Sequence, residues 1–285
     1  MLTAIGAKVA AMTTIRRTYP EGVPSWVDTE QHDPQAAQEF YGALFGWTFT
    51  TVSPSGAPVY AIAALDGRDV AGIGQADGSA PAWNTYIAVD DADAVVSRVS
   101  AAGGEVADDP GQVGPFGRSV NLQDPAGVAF RLWQAGTHPG AQRVNEPGSW
   151  NFSDLHTDRP DSITFYADVF GWSVQDLGFA TMVRRPGYGD HLEATVDPGI
   201  RDRQAGIAPP SGFEDAIAWV APLEPSFTAH WHVSFSVADR DAAAAAAQRL
   251  QAEVISTQET QWTRTALIRD PQGAVFTASQ FTPPD

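Results

Sequence analysis

The chain has 285 residues, no cysteine, and a formal net charge of −17 from 34 acidic and 17 basic side chains. The missing cysteines exclude disulfides, thiolate metal ligands and a thiol nucleophile, and the acidic charge disfavours nucleic acids and anionic membranes as partners. No segment has the pattern of a transmembrane helix or a signal peptide. We therefore interpret residues 1–21 as an N-terminal leader and expect a cytoplasmic protein.

The first half of the chain begins with the pattern of a strand, a helix and three further strands. A strand is predicted at residues 25–29, and Asp33 followed by Pro34 predicts the N-terminus of a helix. Apolar residues at helical spacing follow, and Gly46 ends the helix. The strands predicted after it are residues 47–52, 59–65 and 69–75.

The same order returns in the rest of the first half. A strand at residues 83–89 leads into a helix at residues 92–102, and the strands that follow are residues 105–108, 117–123 and 128–134. The second half of the chain shows the same pattern, with helices near residues 160–169 and 241–251. The segment between the halves is rich in Gly and Pro, which predicts a linker at residues 137–148.

Three short motifs occur twice, which indicates a duplicated domain. Residues 40–47 (FYGALFGW) return 125 residues later as residues 165–172 (FYADVFGW). A strand that begins with Trp83 returns at Trp231, and the DPAG turn at Asp124 returns as DPQG at Asp270. We predict module 1 at residues 22–136 and module 2 at residues 149–282, with an insertion at residues 184–229.

Four motifs occur in a fixed order: the helix motif, the strand that begins with Trp, the glycine pair after the second helix, and the D-P-x-G turn. By these motifs the chain resembles the superfamily of glyoxalase I, bleomycin-resistance proteins and extradiol dioxygenases. These are also called vicinal oxygen chelate proteins. The resemblance covers residues 22–281 and is strongest to two-module glyoxalase-like proteins of actinobacteria. It implies an α+β fold: a tandem duplication of paired βαβββ modules, each a curled mixed sheet, or cup, with helices on its outer face. It also implies a ligand site on the concave face and pairing of the modules within the chain.

Metal-dependent members of the superfamily hold a divalent ion with His, Glu or Gln at three strand positions. Counted from the repeated motifs, these positions hold Trp26, Asn84 and Arg131 in module 1. None of the three is a good ligand, and an arginine repels a cation.

In module 2 the same count gives Asn151, His232 and Thr277. Because the first strand of this copy carries one extra residue, Asp154 or His156 is an alternative to Asn151. Only one or two ligands of an expected three are then present. We therefore predict no metal site and no other cofactor.

Alternation along the strands predicts which side chains point into each cup. Cup 1 combines flat stacking surfaces with a few directed polar groups, which is typical of a site for an aromatic or planar ligand. Its candidate ligand-binding residues are Trp26, Asp28, Asn84, Tyr86, Arg131 and Trp133. Those of cup 2 are Asp154, His156, His230, His232, Ser234 and Thr277, with Met182, His191 and Glu193 at a rim formed by the insertion.

Each assignment has a structural alternative. His232 is the candidate catalytic residue, because imidazole titrates near neutral pH, but a buried histidine can equally serve as a hydrogen-bonded cup residue. Trp26 and Trp133 can instead be core residues between paired modules. The insertion can instead be a helical flap that covers the module interface.

The leading functional hypothesis is a metal-independent protein that binds a small aromatic or planar molecule, either to sequester a drug or secondary metabolite or to process it. The first alternative is an enzyme of the superfamily: a lyase or isomerase with a displaced metal site, or an oxygenase or hydroxylase without a cofactor. The second alternative is a scaffold protein whose cups are filled. The acidic charge favours a neutral or cationic ligand, and we expect a monomer or homodimer.

Overall fold

Each half of the chain forms one curled mixed sheet, which confirms the predicted fold class of paired βαβββ units. A computed structural model describes residues 16–178, 180–207, 209–223 and 227–283. The first fifteen residues of the predicted leader lie outside this range. None of the helices in the described ranges is long and apolar enough to cross a membrane.

Module 1 contains one nine-stranded sheet and two helices. Its strands are β1 (Pro24–Gln31), β2 (Thr48–Thr51), β3 (Tyr60–Leu65), β4 (Arg68–Gln75), β5 (Ala82–Ala88), β6 (Glu105–Val106), β7 (Gly111–Val113), β8 (Gly117–Gln123) and β9 (Ala129–Ala135), and its helices are α1 (Pro34–Phe45) and α2 (Ala92–Ala101). The spatial order is β2-β3-β4-β1-β5-β9-β8-β6, and β7 pairs with β8. The pairs β1 with β4 and β5 with β9 are parallel.

Module 2 repeats this arrangement in an eight-stranded sheet. Its strands are β10 (Trp150–His156), β11 (Ser173–Asp176), β12 (Thr181–Arg184), β13 (Ala216–Ala221), β14 (His230–Ser236), β15 (Glu253–Glu259), β16 (Thr263–Arg269) and β17 (Val275–Phe281). Its helices are α3 (Pro160–Phe170), α4 (Tyr188–Ala194), α5 (Ile200–Ala205) and α6 (Arg240–Arg249). The order β11-β12-β13-β10-β14-β17-β16-β15 matches module 1 strand for strand.

Local sequence signals place the helix ends of the first unit. The side chain of Asp33 accepts hydrogen bonds from the backbone N–H groups of Gln35 and Ala36, and Pro34 occupies the first helical position. Gly46 adopts φ 77°, the left-handed conformation that glycine tolerates best, and ends α1. The following chain therefore turns back onto the sheet.

The two modules pack with their outer faces together, so each hydrophobic core contains parts of both. Each module consists of two βαβββ units. One core is shared by the unit that contains α1 in module 1 and the unit that contains α6 in module 2, and the other core is shared by the units that contain α2 and α3. Phe45 and Phe235, from different modules, lie with ring centroids 5.1 Å apart. Neither module therefore has a complete core of its own.

The repeated motifs supply the polar contacts of this interface. Tyr41 in α1 donates a hydrogen bond to Asp270 of module 2 at 2.8 Å and accepts one from the indole of Trp83 at 3.1 Å. Tyr166 in α3 accepts the matching bond from Trp231 at 2.9 Å. Burial, followed by the charge of Asp270, raises the pKa of Tyr41 well above its usual value, so the phenol remains a donor.

The tryptophan that ends each helix motif crosses to the other module. The indole of Trp47 donates to the carbonyl of Gly148 at 2.7 Å, directly before β10. In the second copy, Trp172 donates to the carbonyl of Gly22 at 2.6 Å, directly before β1. The two bonds fix the first strand of each module against the helix of the other.

The insertion is shorter than predicted and lies mostly on the outer face. Residues 216–221, which the predicted insertion 184–229 includes, form β13, a regular sheet strand parallel to β10. The added segment is residues 185–215, and its buried Tyr188 and Leu192 belong to the core that contains Phe165 and Val169 of α3. Helix α4 therefore packs on the outer face, as the flap alternative describes, whereas Phe213 near the end of the segment lies 6.2 Å from Trp219 of β13.

The end of the predicted leader and the linker both pack on the folded body. The carboxylate of Glu21 pairs with Arg98 at 2.5 Å, and the phenol of Tyr19 donates to the carbonyl of Ala141 at 2.6 Å. Ala141 is fully buried, and its N–H donates to the carbonyl of Ser25 at 2.9 Å. Residues 16–21 and the linker thus cover one end of module 1.

Replacing Tyr41 with Phe should destabilise both modules together. The variant leaves the buried indole N–H of Trp83 without its partner and removes one of the two side-chain donors to an oxygen of Asp270, which costs about 2 kcal/mol of unfolding free energy. Urea denaturation should show one transition at lower urea concentration. Glu39→Gln, on the exposed face of the same helix, should change stability by less than about 0.5 kcal/mol. Two separate transitions would contradict the shared cores.

Candidate functional site

Cup 1 contains a polar network centred on Asp28, which is 1% exposed. Its carboxylate accepts hydrogen bonds from the phenols of Tyr60 at 3.0 Å and Tyr86 at 2.7 Å, and from the amide of Asn84 at 2.9 Å. Burial, followed by the charge of Asp28, raises the pKa of both phenols well above the usual value. The network therefore keeps both tyrosines as donors.

Arg131 completes this network from β9. One guanidinium nitrogen lies 3.5 Å from Asp28 and donates to the phenol of Tyr86 at 2.8 Å, and the other pairs with Glu30 at 2.8 Å. The guanidinium also lies 5.5 Å from the centre of the Tyr86 ring. The positive charge that balances the buried carboxylate is therefore part of the chain itself.

Aromatic side chains fill the remaining space in cup 1. The indole of Trp26 donates to Tyr60 at 3.0 Å, and the ring of His138 from the linker lies edge-on to Trp26 at 4.5 Å. Tyr60 can cross the cup only because residue 72 is glycine, since a Cβ there would lie 2.2 Å from the tyrosine oxygen. Cup 1 is thus closed by its own side chains, as the core alternative for its tryptophans describes.

Cup 2 uses the same positions with different side chains, some shorter and some larger than those of cup 1. Strand register places Asp154 opposite His232, as it places Asp28 opposite Asn84. Ser234 pairs with Thr277 on β14 and β17, where cup 1 has the pair Tyr86 and Arg131 on β5 and β9. The two long side chains that close cup 1 therefore have no equivalent in cup 2.

Three histidines line one end of cup 2. The ring of His156 lies 4.9 Å from that of His232 and 5.0 Å from that of His230, centre to centre. Burial, followed by the neighbouring rings, lowers the pKa of His232 to about 3, and burial lowers that of His156 to about 4. Burial also lowers the pKa of His230. All three rings are therefore neutral at neutral pH, and His232 makes a 2.8 Å hydrogen bond with the hydroxyl of Thr277.

Asp154 lies beside this cluster and is only partly buried. One of its oxygens accepts a hydrogen bond from the backbone N–H of Trp219 at 3.1 Å. Burial raises the pKa of Asp154 to about 7, against an ordinary value of 3.8. The group therefore changes charge near neutral pH, which is common for residues that act in a site.

A half-exposed aromatic wall faces the histidines across the strands. Phe152 and Trp219 lie 6.4 Å apart in an edge-to-face arrangement, and Phe213 lies 6.2 Å from Trp219. Met182, fully buried, pairs with Trp219 across β12 and β13. Cup 2 thus combines flat apolar surfaces with a few polar groups.

The structure corrects the predicted metal position on the first strand of module 1. Trp26 pairs with Tyr86, and the residue opposite Asn84 is Asp28, so the count from the helix cap missed by two residues. In module 2 the corresponding residue is Asp154, one of the two predicted alternatives to Asn151. In both strands this residue lies about five positions before the N-cap of the helix, which is Asp33 in module 1 and Arg159 in module 2.

The residues present do not fit a metal ion. In cup 1 the guanidinium of Arg131 occupies the side of Asp28 where a cation would bind. In cup 2 the third position is Thr277, whose hydroxyl already bonds His232. Among the described residues, no group of three His, Cys, Asp or Glu side chains has the geometry to hold a metal.

Two predicted rim residues lie away from cup 2. His191 makes a 3.0 Å hydrogen bond with the backbone carbonyl of Thr18 in the N-terminal segment, and Glu193 pairs with Arg201. Both are on α4, whose buried side chains face the core shared with α3. The other candidates lie on the cup faces as strand alternation predicts.

Five contributors to the cups were not predicted. Tyr60, Glu30 and His138 help to fill cup 1, and Phe152 and Trp219 form the wall of cup 2. Strand parity could have identified Phe152, which is two residues before Asp154, and Glu30, two residues after Asp28. Trp219 was not predicted, because it lies in the part of the chain that was assigned to the insertion and not to a strand.

Replacing Arg131 with Met should destabilise the protein strongly. The change leaves Asp28 buried without its positive partner, which costs about 3–5 kcal/mol of unfolding free energy. The double variant D28N/R131M should recover a large part of that loss in urea denaturation. Arg264→Met, which breaks pairs with the exposed Asp241 and Glu259, should cost less than about 1 kcal/mol. An equal effect of the two single variants would contradict a charge-balanced cup 1.

Asp154→Asn should gain stability relative to the parent protein as pH rises from about 4 to 7. The folded state of the parent keeps its proton up to a pKa of about 7, whereas the unfolded chain loses it near 3.8, so the parent loses stability across this window. The variant has no such loss of stability. The histidines contribute equally to the pH dependence of both proteins, so their contribution cancels when the two unfolding free energies are subtracted. We expect a relative gain of up to about 4 kcal/mol between pH 4 and 8 in urea denaturation. A pH-independent difference would show that Asp154 has an ordinary pKa.

Comparison with known proteins agrees with this geometry. A family model described as a glyoxalase-like domain matches residues 26–133 and 140–279. CFP32 of Mycobacterium tuberculosis, which carries the name of a glyoxylase, is 38% identical over 277 residues, covering 94% of this chain and 98% of that protein. The anthracycline biosynthesis protein DnrV of Streptomyces peucetius is 33% identical over 281 residues, covering 92% of this chain and 94% of that protein.

Solved structures show the same fold at low sequence identity. The Mn(II)-bound glyoxalase of Novosphingobium aromaticivorans has a TM-score of 0.60 at 17% identity and covers 93% of this chain and 84% of its own. The 2,3-dioxygenase LapB of Pseudomonas sp. KL28 has a TM-score of 0.59 at 14% identity, covering 94% of this chain and 96% of its own. The matched segments span both modules, and the chain belongs to the glyoxalase-like family of the vicinal oxygen chelate fold.

Proposed function

We propose that this protein binds a small aromatic or otherwise planar molecule in cup 2 without a metal ion. The observation that carries the proposal is the exchange of Tyr86 and Arg131 in cup 1 for Ser234 and Thr277 in cup 2. Cup 2 therefore lacks the two long side chains that close cup 1 at these positions. One of them, Arg131, carries the guanidinium that contacts the aspartate of cup 1. On the face of cup 2, the side chains of Asp154, His156 and Trp219 are partly exposed.

The walls of cup 2 suit a flat ligand. Phe152 and Trp219 offer aromatic surfaces on one side, and the neutral rings of His156 and His230 lie on the other. Stacking of a planar ligand on such surfaces contributes about 0.5–1.5 kcal/mol per ring pair beyond the apolar area that it buries. A molecule of two or more fused rings would contact both walls.

The charges in cup 2 favour an uncharged or cationic ligand. The three histidines are neutral near pH 7, and Asp154 is the ionisable acid beside them. The net charge of −17 adds long-range repulsion of anions. In cup 1, Arg131 does not offer a free positive charge to an anionic ligand, because it already pairs with Asp28 and Glu30.

Two further observations support the proposal. Two relatives, 33% and 32% identical, are named anthracycline biosynthesis proteins, which is compatible with a small-molecule ligand. Among the described residues no fitting metal-ligand set is present, which separates this chain from the manganese-bound structure of the same fold. A cytoplasmic location is part of the proposal. The scaffold alternative describes cup 1 well, since that cup is closed.

Filling cup 2 should abolish binding. In the double variant S234Y/T277R, the side chains that close cup 1 stand at the matching positions of cup 2. With 1,4-dihydroxyanthraquinone as the probe, isothermal titration should show binding to the parent protein and at least a tenfold weaker affinity for this variant, equivalent to about 1.4 kcal/mol. Trp219→Leu should weaken binding by a similar factor, because it removes the stacking wall.

Trp133→Phe in cup 1 is the matched control and should change the affinity less than twofold, since that ring lies outside cup 2. Treatment with a chelator should leave the affinity unchanged. Binding that survives the filling of cup 2, or that disappears with the chelator, would contradict the proposed function.

A further inference from the structure

Arg184 on β12 stands at a position of cup 2 where cup 1 has an alanine. Its neighbour Val183 belongs to the core on the outer face, so by strand alternation Arg184 points to the cup side. Strand register pairs Arg184 with Ser173 of β11, and the matching pair in cup 1 is Ala64 with Thr48. Cup 2 therefore has a guanidinium group that cup 1 lacks at this position.

The inserted segment packs on Arg184 beside the aromatic wall. A Cβ on Gly212 would clash with Nη1 of Arg184, so the absence of a side chain there leaves room for the arginine. Gly212 also adopts φ 75°, in the left-handed region that favours glycine. The next residue, Phe213, lies 6.2 Å from Trp219, ring centre to ring centre. The guanidinium is thus held next to the wall of cup 2.

The chain itself does not bond the side chain of Arg184. Within the described ranges, this side chain forms no ion pair, and its Nε is buried without a hydrogen-bond partner. The hydroxyl of Ser173 opposite it is also buried without a partner. In cup 1 the equivalent hydroxyl of Thr48 donates to the carbonyl of Ala64 at 3.3 Å. Buried polar atoms in folded proteins nearly always have a partner, so two neighbouring exceptions favour a site that a bound molecule completes.

The acidic side chains next to the wall have other partners. Asp215 accepts a hydrogen bond from the backbone N–H of Gly189 at 2.7 Å, and the carboxylate of Glu214 lies 3.8 Å from the guanidinium of Arg201. They leave the charge of Arg184 unpaired, and together with the net charge of −17 they oppose a ligand that carries a full negative charge. An uncharged ligand with a polarised oxygen fits both conditions.

Arg184 and the histidines lie at opposite ends of β13. Arg184 pairs with Ala216 at the start of this strand, and His156 pairs with Ala221 at its end. At about 3.3 Å per residue, these ends are about 16 Å apart, and Trp219 lies between them. A ring system seated on Trp219 therefore presents one edge to Arg184 and the opposite edge to the histidines.

We propose that Arg184 selects the ligand of cup 2 by donating hydrogen bonds to a carbonyl oxygen on the edge of an uncharged fused ring. This inference rests on the proposed function and names the ligand class as a fused-ring ketone or quinone, in preference to a plain aromatic hydrocarbon. The ring stacks on Trp219, and the terminal nitrogens of the guanidinium bond the oxygen. A hydrogen bond from a charged donor is about twice as strong as one between neutral groups, so this contact discriminates between ligands of equal shape.

Two three-ring probes that differ at one position test this inference. 9-Fluorenone has a carbonyl group where fluorene has a CH2 group, and both molecules are planar and uncharged. Their affinities follow from displacement of 1,4-dihydroxyanthraquinone, measured by its visible absorbance. In Arg184→Met the ratio of the 9-fluorenone affinity to the fluorene affinity should fall at least about tenfold relative to the parent protein. The affinity for fluorene should change less than about twofold, because fluorene has no oxygen to lose.

Arg249→Met is the matched control. It removes the same charge from an exposed arginine at the end of α6, and it should leave the affinity ratio unchanged. Urea denaturation is the second measurement. Because Arg184 has no partner to lose, Arg184→Met should be at least as stable as the parent protein. A lower urea midpoint for Arg184→Met would show a structural role for this arginine and would overturn the inference.

The outcomes separate this inference from the proposed function. If 1,4-dihydroxyanthraquinone binds in cup 2, and either 9-fluorenone does not displace it or Arg184→Met leaves the ratio unchanged, the role of Arg184 is wrong and the binding function stands. If 1,4-dihydroxyanthraquinone does not bind, or binds equally to S234Y/T277R, both proposals fail. A ratio that falls in Arg184→Met and not in Arg249→Met, with binding lost in S234Y/T277R, supports both.

Discussion

The rest of the structure depends on the pairing of the two modules through their outer faces. Each curled sheet has an apolar outer face that packs against parts of the partner module as well as its own helices, so that both hydrophobic cores are shared. The hydrogen bond from Tyr41 to Asp270 and the indole bond from Trp47 to Gly148 hold this arrangement. With the outer faces occupied, the concave faces are the surfaces on which a function can change without loss of the fold.

The two cups show how far such surfaces can diverge on a similar scaffold. In cup 1, Arg131 replaces any external cation, and the carboxylate of Asp28 is satisfied inside the chain. In cup 2, the matching aspartate lies opposite the neutral His232, and Ser234 and Thr277 stand where cup 1 has Tyr86 and Arg131. A buried carboxyl group that lacks a positive partner is costly for stability, and natural proteins retain such groups most often where they act. The asymmetry therefore favours cup 2 as the working site.

The fold class was predicted from the resemblance to the vicinal oxygen chelate superfamily, which depends on helix caps and paired motifs that are local signals. Strand alternation also assigned most cup-facing residues, since alternation depends only on strand parity. Register was harder: the residue opposite Asn84 is Asp28, and the count from the helix cap pointed to Trp26. Contacts between distant segments, such as His138 of the linker against Trp26, follow from tertiary packing that no local pattern contains. For the same reason, two placements of the insertion remained open from the sequence, at the rim of cup 2 and over the module interface.

The central claim is that cup 2, and not cup 1, holds the ligand. A crystal structure of the protein with a bound planar aromatic molecule tests it most directly. The account predicts density for one molecule in cup 2, in contact with Trp219 and the histidines. Density in cup 1, with Arg131 displaced from Asp28, would contradict the account, as would a ligand found only at the module interface.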